Sequence, residues 1–188
     1  MMNDTQAQYQ AIIAHCKKLF EKKHQDYGSA WRILRLPSLT DQIFIKANRI
    51  RSIQEKGSQQ IAEDIRLEFV GIINYALIAL MQSELLQKGE TEMELSWEKV
   101  SELYDKHAQN TLDLLLRKNH DYGEAWRAMR VSSMTDLILM KIRRIKQIED
   151  NQGLTQVSEG VEANYQDILN YAVFCLIQLK FLENESSY

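Results

Sequence analysis

The feature that most constrains this chain is a stretch of seven residues that occurs twice. Residues 26–32 (DYGSAWR) return 95 positions later as residues 121–127 (DYGEAWR). Between residues 26–53 and 121–148, 15 of 28 aligned positions are identical, which chance does not supply. The chain is therefore an internal duplication, and its two halves are expected to share one fold.

The duplication predicts where the halves stay in register. From the glycine turn onward, equivalent residues of the two halves lie 96 positions apart. Four pairs match at this spacing: Gly57 and Gly153, Glu63 and Glu159, Asn74 and Asn170, Tyr75 and Tyr171. The turn that precedes the last helix of each half is therefore one residue longer in the second half.

Composition and periodicity predict helices throughout. One proline and seven glycines among 188 residues are few for a protein with many strands or loops. Apolar residues recur at helical spacing and predict helices over 6–24, about 60–87, 95–119, 135–150 and 156–183. A further helix runs from an N-cap at Ser38 or Thr40 to about residue 57. We therefore predict an all-α protein of two tandem three-helix repeats, residues 1–89 and 90–188. They are expected to pack as one compact pseudo-two-fold helical bundle.

Other bulk properties narrow the setting. The two cysteines, Cys16 and Cys175, occupy unmatched repeat positions, so neither a disulfide framework nor a zinc cluster is expected. The first residues lack a signal-peptide layout, and no apolar run is long enough to span a bilayer. A cytoplasmic protein without membrane contact is predicted. The net charge of −3 disfavours a nucleic acid partner unless the basic helices form one face. Assembly into a homo-oligomer is compatible with the sequence.

The last predicted helix places carboxylates on one stripe. On a helical wheel, Glu159, Asp167, Asn170 and Tyr171 share a sector about 80° wide. Carboxylates two turns apart are one way in which helical bundles hold Mg²⁺; a solvated polar face is the alternative. The first half keeps Asn74 and Tyr75. At the position of Asp167, however, it has a glycine, so either one site is lost or a single composite site forms.

The second helix of each half carries matched cations. Lys46 and Arg49 correspond to Lys141 and Arg144, and the basic pairs Arg32/Arg127 and Arg35/Arg130 lie just before them. Arginine forks and a lysine point charge suit a phosphate chain. A salt-bridged helix surface is the alternative for any single residue.

The repeated turn has a structural and a functional interpretation. Gly28 and Gly123 suit a left-handed helix end, and the two tryptophans are expected to fill core gaps. For Asp26 and Asp121 two roles stay open: capping the turn, or binding a metal ion or a ribose.

These motifs resemble a known family. Lys-x-x-Asp-Tyr-Gly-x-x-Trp occurs at 23–31 and 118–126, and Asp-x-x-Asn-Tyr occurs at 167–171. The pattern is similar to nucleotide modification associated domain 1, a family that began as a domain of unknown function and occurs sometimes as a tandem pair. More distantly, it resembles the all-α nucleoside triphosphate pyrophosphohydrolases of MazG and dimeric dUTPase type. Those enzymes bind magnesium with carboxylates from two helices, but their Glu-Glu-x-x-Glu cluster is absent here.

The resemblance and the residues together give two hypotheses. The leading one is a nucleotide-binding protein that acts as a Mg²⁺-dependent pyrophosphohydrolase on canonical or modified (d)NTPs. Glu159 and Asp167 would be catalytic and would hold the metal with Asp121. The substrate would contact eight residues on the basic and long helices: Lys46, Arg49, Lys141, Arg144, and the pairs Asn74/Tyr75 and Asn170/Tyr171. The alternative is a non-catalytic helical module that binds a nucleotide or a protein.

Overall fold

The protein is helical, as predicted, in a computed structural model that describes residues 4–57, 65–156 and 159–185. The first half contains α1 (Asp4–Tyr27), α2 (Leu36–Lys56) and α3 (Ile65–Gln87). The second half contains α4 (Trp97–Tyr122), α5 (Val131–Asp150) and α6 (Val161–Gln178), followed by the short α7 (Phe181–Glu185). A 3₁₀ turn lies between the first two helices of each half, at Ala30–Ile33 and Ala125–Ala128.

The predicted start of α2 is wrong by several residues, and α5 differs in the same way. The N-cap of α2 is Arg35 in extended conformation, and Pro37 occupies the first turn, where its missing N–H costs nothing. Thr40 does not cap the helix; its buried hydroxyl donates to the Leu36 carbonyl at 3.1 Å. Thr135 makes the same bond to Val131 in α5, so both threonines lie inside their helices.

The last predicted helix is shorter than expected at both ends. Gly160 is the N-cap of α6, which begins at Val161, because glycine is a poor helix former. Glu159 therefore precedes the helix, and its predicted position on the helical wheel is wrong. At the other end, Lys180 has a φ of 51°, which interrupts the right-handed helix before α7.

The core lies along α3 and α6, which pack against each other and are flanked by α2 and α5. Buried side chains from both halves form one continuous hydrophobic cluster. By length and composition α3 could cross a membrane, but 78% of its apolar window is buried inside the protein, so its hydrophobicity is accounted for by the core.

Two equivalent hydrogen bonds tie the halves together. The Tyr104 hydroxyl of α4 donates to Asn74 Oδ1 of α3 at 2.8 Å. Its repeat partner, Tyr9 of α1, donates to Asn170 Oδ1 of α6 at 3.1 Å. All four side chains are buried. Each half thus supplies the tyrosine to the other half's asparagine, as a pseudo-two-fold arrangement requires.

Candidate functional site

A cavity of about 790 Å³ lies in the first half, between the end of α1, the first 3₁₀ turn and α3. It is larger than the groove of about 460 Å³ between α3 and α4. We call it the first-half cavity. Its aromatic lining consists of Phe20, Tyr27, Trp31 and Tyr75, and its charged lining consists of Lys23, Lys46 and Glu68.

The turn that forms one wall is fixed by backbone conformation and by a buried network. Gly28 closes α1 with a φ of 58°, a conformation that favours glycine. Gln82 Nε2 donates to the carbonyls of Arg32 and Leu34, both at 3.0 Å. Trp31, between these anchors, is therefore held in the cavity wall.

Arg32 belongs to this scaffold rather than to the surface. Its guanidinium donates to the Glu90 carbonyl at 2.8 Å, to the Glu92 carbonyl at 3.1 Å and to the Gln82 side chain. The side chain is only 6% exposed. The cation thus ties the turn to the connection between the halves.

Lysines supply positive charge to the cavity. Lys46 Nζ lies 3.4 Å from Glu68 Oε2, and Arg49 lies 3.2 Å from the other oxygen of the same carboxylate. No carboxylate among the described residues forms an ion pair with Lys23. The two lysines of the lining outnumber its single carboxylate, so the cavity favours an anion.

Gly71 leaves room for the Lys46 side chain. A Cβ atom built on this glycine would lie 2.7 Å from Lys46 Cε and 3.0 Å from its Nζ. The lysine therefore crosses the glycine at a distance that any larger residue would prevent without a shift of the lysine. The glycine that the repeat pattern marked as a missing carboxylate is what lets this ammonium group lie against α3.

The second half closes the equivalent space with its own side chains. Asp167, the partner of Gly71, accepts from Lys118 Nζ at 3.1 Å and from Lys141 Nζ at 2.6 Å. Phe174, the partner of Ile78, stacks on Trp126 with centroids 4.2 Å apart and planes at 6°. The lysines and the tryptophan whose equivalents line the first-half cavity are thus paired with Asp167 and Phe174 in the second half.

Four buried polar atoms have no hydrogen-bond partner among the described residues, and they fall at matched positions. They are His24 Nδ1 and Trp31 Nε1 in the first half, and Asn119 Nδ2 and Trp126 Nε1 in the second. A buried donor or acceptor without a partner costs about 1–3 kcal/mol. In the first half both residues line the cavity, where a bound molecule or water could pair with them.

The predicted metal ligands are not brought together. Glu159 is exposed and precedes α6, Asp121 is exposed beside His120 at 3.2 Å, and both oxygens of Asp167 face lysines. No group of three or more His, Cys, Asp or Glu side chains among the described residues is placed to hold a metal ion. These donors therefore do not fit Mg²⁺, and Glu63 lies outside the described residues.

The predicted substrate contacts divide between the core and the cavity. Asn74 Nδ2 donates to the Cys16 carbonyl at 3.1 Å, so this amide is occupied by the scaffold on both sides. Asn170 is likewise engaged by Tyr9. Tyr75 lines the cavity, whereas its partner Tyr171 is half-buried beside Asp167. Burial raises the pKa of Tyr171, and the Asp167 charge adds to this effect.

Sequence reasoning did not assign a role to Lys23 or to the exchange of Ile78 for Phe174, and it read the glycine at position 71 only as a missing carboxylate. Lys23 belongs to the repeated motif, and its recurrence as Lys118 is the signal that could have identified it. The changes from Gly71 to Asp167 and from Ile78 to Phe174 were also visible. Their meaning depended on which side chains pack against them, which periodicity does not give.

Comparison with known proteins agrees with the duplication. The family model for nucleotide modification associated domain 1 matches twice, at residues 23–83 and 118–179. No curated protein and no solved structure matches the chain. The two matches together cover more than half of the sequence and contain both copies of the turn, as the motif resemblance predicted. The chain therefore belongs to the nucleotide modification associated domain 1 family and carries its domain as a tandem pair.

Proposed function

We propose that the protein binds one nucleotide in the first-half cavity and does not hydrolyse it. The observation that carries this proposal is the combination of aromatic walls and two lysines around one large cavity. Family membership supports a role connected with nucleotides, without specifying binding or catalysis.

The phosphate end of the nucleotide would lie against Lys23 and Lys46. An ammonium group is a compact point charge that binds phosphate oxygens through charge-assisted hydrogen bonds. Lys46 already shares Glu68 with Arg49, so a phosphate arriving there would compete with a single carboxylate for two cations.

The base would lie against the aromatic walls. Stacking of a nucleobase on an aromatic side chain contributes about 1–3 kcal/mol and tolerates any base. Trp31 and Tyr75 line the interior, and Tyr27 stands at the rim with 71% of its surface exposed. The unpaired nitrogens of His24 and Trp31 could add hydrogen bonds that favour particular ligands.

The placement of the carboxylates favours binding over hydrolysis. A magnesium-dependent mechanism needs acidic groups that converge on the metal and its water, and Glu159, Asp167 and Asp121 do not converge among the described residues. Pyrophosphate release from the four dNTPs with Mg²⁺ tests this part of the proposal. We expect none. Release by the wild type that disappears in Asp167→Ala would instead support the pyrophosphohydrolase hypothesis.

Isothermal titration calorimetry with the four dNTPs and their monophosphates tests binding. Lys23→Gln is expected to weaken the tightest-binding nucleotide by roughly 10- to 100-fold, because one charge-assisted hydrogen bond is lost. Lys22→Gln is the matched control, since this neighbour is exposed and does not line the cavity. Absence of binding to the whole panel, or equal losses in both variants, would contradict the proposal.

A protein partner is a second candidate, favoured by the rim of the cavity. Tyr27, Ile33 and Leu67 are 71%, 76% and 56% exposed, and all three line the same opening. Exposed apolar side chains that cluster mark interaction surfaces. Sedimentation equilibrium of the wild type and of Ile33→Ser/Leu67→Ser tests self-association: a dimer that dissociates in the variant would support this candidate, and a wild-type monomer would remove a second copy of the chain as the partner.

A further inference from the structure

The two halves carry equivalent lysines whose carboxylate partners differ. Lys23 and Lys118 are equivalent, as are Lys46 and Lys141. In the second half both ammonium groups bind a carboxylate that projects from α6. In the first half the same position of α3 is Gly71, with the Lys46 side chain lying across it.

Asp167 has the chemistry of a bound anion. Its two oxygens are shared between two ammonium groups, one on α4 and one on α5, and its side chain is only 15% exposed. In the first half, a terminal phosphate of a ligand would offer its oxygens to the equivalent pair of cations, Lys23 and Lys46. The second half therefore displays, with its own side chain, the contacts that an anionic ligand group would make in the first.

The aromatic residues differ between the two halves in the same way. Phe174 covers Trp126 in the second half, whereas Ile78 at the equivalent position leaves Trp31 on the wall of the first-half cavity. In the second half both positions are thus filled internally. In the first half the aromatic wall lines the cavity, Lys23 forms no ion pair with a described carboxylate, and Lys46 pairs at 3.4 Å with Glu68, which Arg49 also contacts.

We propose that the first-half cavity holds the phosphate of its ligand over Gly71, between Lys23 and Lys46, and that Asp167 occupies the corresponding phosphate position in the second half. The chain then binds one ligand, and the second site is kept closed by Asp167. This inference rests on the proposed nucleotide binding, and it adds the position of the phosphate and the stoichiometry.

The test uses inorganic pyrophosphate, which needs the cations but not the aromatic walls. Binding is followed by ¹H–¹⁵N NMR titration of the full chain, which also detects weak binding. We expect one site in the wild type, with the Gly71 amide among the most shifted signals. Gly71→Asp should lose this site, because the new carboxylate would pair with Lys23 and Lys46. Gly71→Asn, similar in size but uncharged, should bind at least about tenfold more tightly than Gly71→Asp. Asp167→Gly should gain a second site at the unpaired Lys118 and Lys141.

The outcomes separate this inference from the proposed function. If the wild type binds nucleotides but not pyrophosphate, or if Gly71→Asp binds pyrophosphate as well as the wild type does, the phosphate position is wrong while nucleotide binding stands. A folded Asp167→Gly variant that still binds one pyrophosphate would overturn the role of Asp167. A wild type that binds neither pyrophosphate nor any nucleotide would overturn both.

Discussion

Lys141 Nζ lies 2.6 Å from Asp167 Oδ2, in a contact where both side chains are about 15% exposed or less. This ion pair joins α5 to α6, and Lys118 extends it to α4 at 3.1 Å. Three helices of the second half therefore meet at one carboxylate. The first half has a glycine at the same point, so the duplicated halves differ at a position where both carry the same two lysines.

Asp167→Asn is expected to lower the free energy of unfolding by about 1–3 kcal/mol, because the mostly buried Lys141 loses its anionic partner. Lys118, which is 46% exposed, should contribute little to this loss. Urea denaturation monitored by circular dichroism measures this change. Asp105→Asn is the control: Asp105 pairs with Lys17 at 2.7 Å but is 61% exposed. Its loss should cost less than about 1 kcal/mol. Equal costs for the two variants would contradict a buried role for Asp167.

Tyr104→Phe and Tyr9→Phe should each destabilise the protein by about 1–2 kcal/mol. Each change leaves a buried asparagine oxygen without its hydroxyl donor, and that desolvation is not recovered. Thermal denaturation checks both variants beside Tyr27→Phe, whose side chain is 71% exposed. Because the two bonds are related by the pseudo-two-fold axis, we expect similar losses. If neither variant differs from Tyr27→Phe, these bonds do not hold the halves together.

Glu84 should give the protein a pH-dependent stability. Burial raises the pKa of the Glu84 carboxyl, but hydrogen bonds from Lys106, Lys88 and His107 outweigh this effect and lower the pKa from 4.5 to about 2. A carboxyl with a depressed folded-state pKa stabilises the fold above its unfolded pKa and loses that contribution as the pH falls. The contribution of Glu84 should therefore be complete above about pH 4.5 and should decline towards pH 2.

Urea denaturation at pH 7 and pH 3 measures this dependence. Glu84→Gln should be less stable than the wild type at pH 7, and the difference should shrink at pH 3. Glu102→Gln, which removes an exposed carboxylate from α4, is the control and should follow the wild type at both values. A difference for Glu84→Gln that stays constant with pH would show that the carboxyl contributes by packing alone.

The duplication made most of the fold predictable from sequence, because each half supported the assignment of the other. Helix ends were less predictable. Thr40 has the chemistry of an N-cap, yet its hydroxyl bonds back into α2, because Pro37 and the extended Arg35 already begin the helix. Gly160 is the N-cap of α6, so the helix begins after Glu159. This proposed metal ligand therefore lies outside the helix.

The candidate site was predictable in its chemistry but not in its location. Residues of the first repeated turn line the first-half cavity, and Lys46 is the one predicted phosphate contact among the basic residues that lines it. Asp167, predicted as a metal ligand, forms ion pairs with Lys118 and Lys141. Gly71, its partner in the first half, leaves room for the Lys46 side chain. Which half is open depends on contacts between α3 or α6 and distant helices. A helical wheel describes one helix and gives no information about such contacts.

The most direct test of nucleotide binding in the first half is a ¹H–¹⁵N NMR titration of the wild-type protein with each of the four dNTPs. The indole and amide signals of Trp31 and Trp126, and the amides of Gly28 and Gly123, report the two halves separately. We predict saturable shifts at Trp31 and Gly28 with little change at Trp126 and Gly123. Equal shifts in both halves, shifts confined to the second half, or no shift with any dNTP would contradict the account.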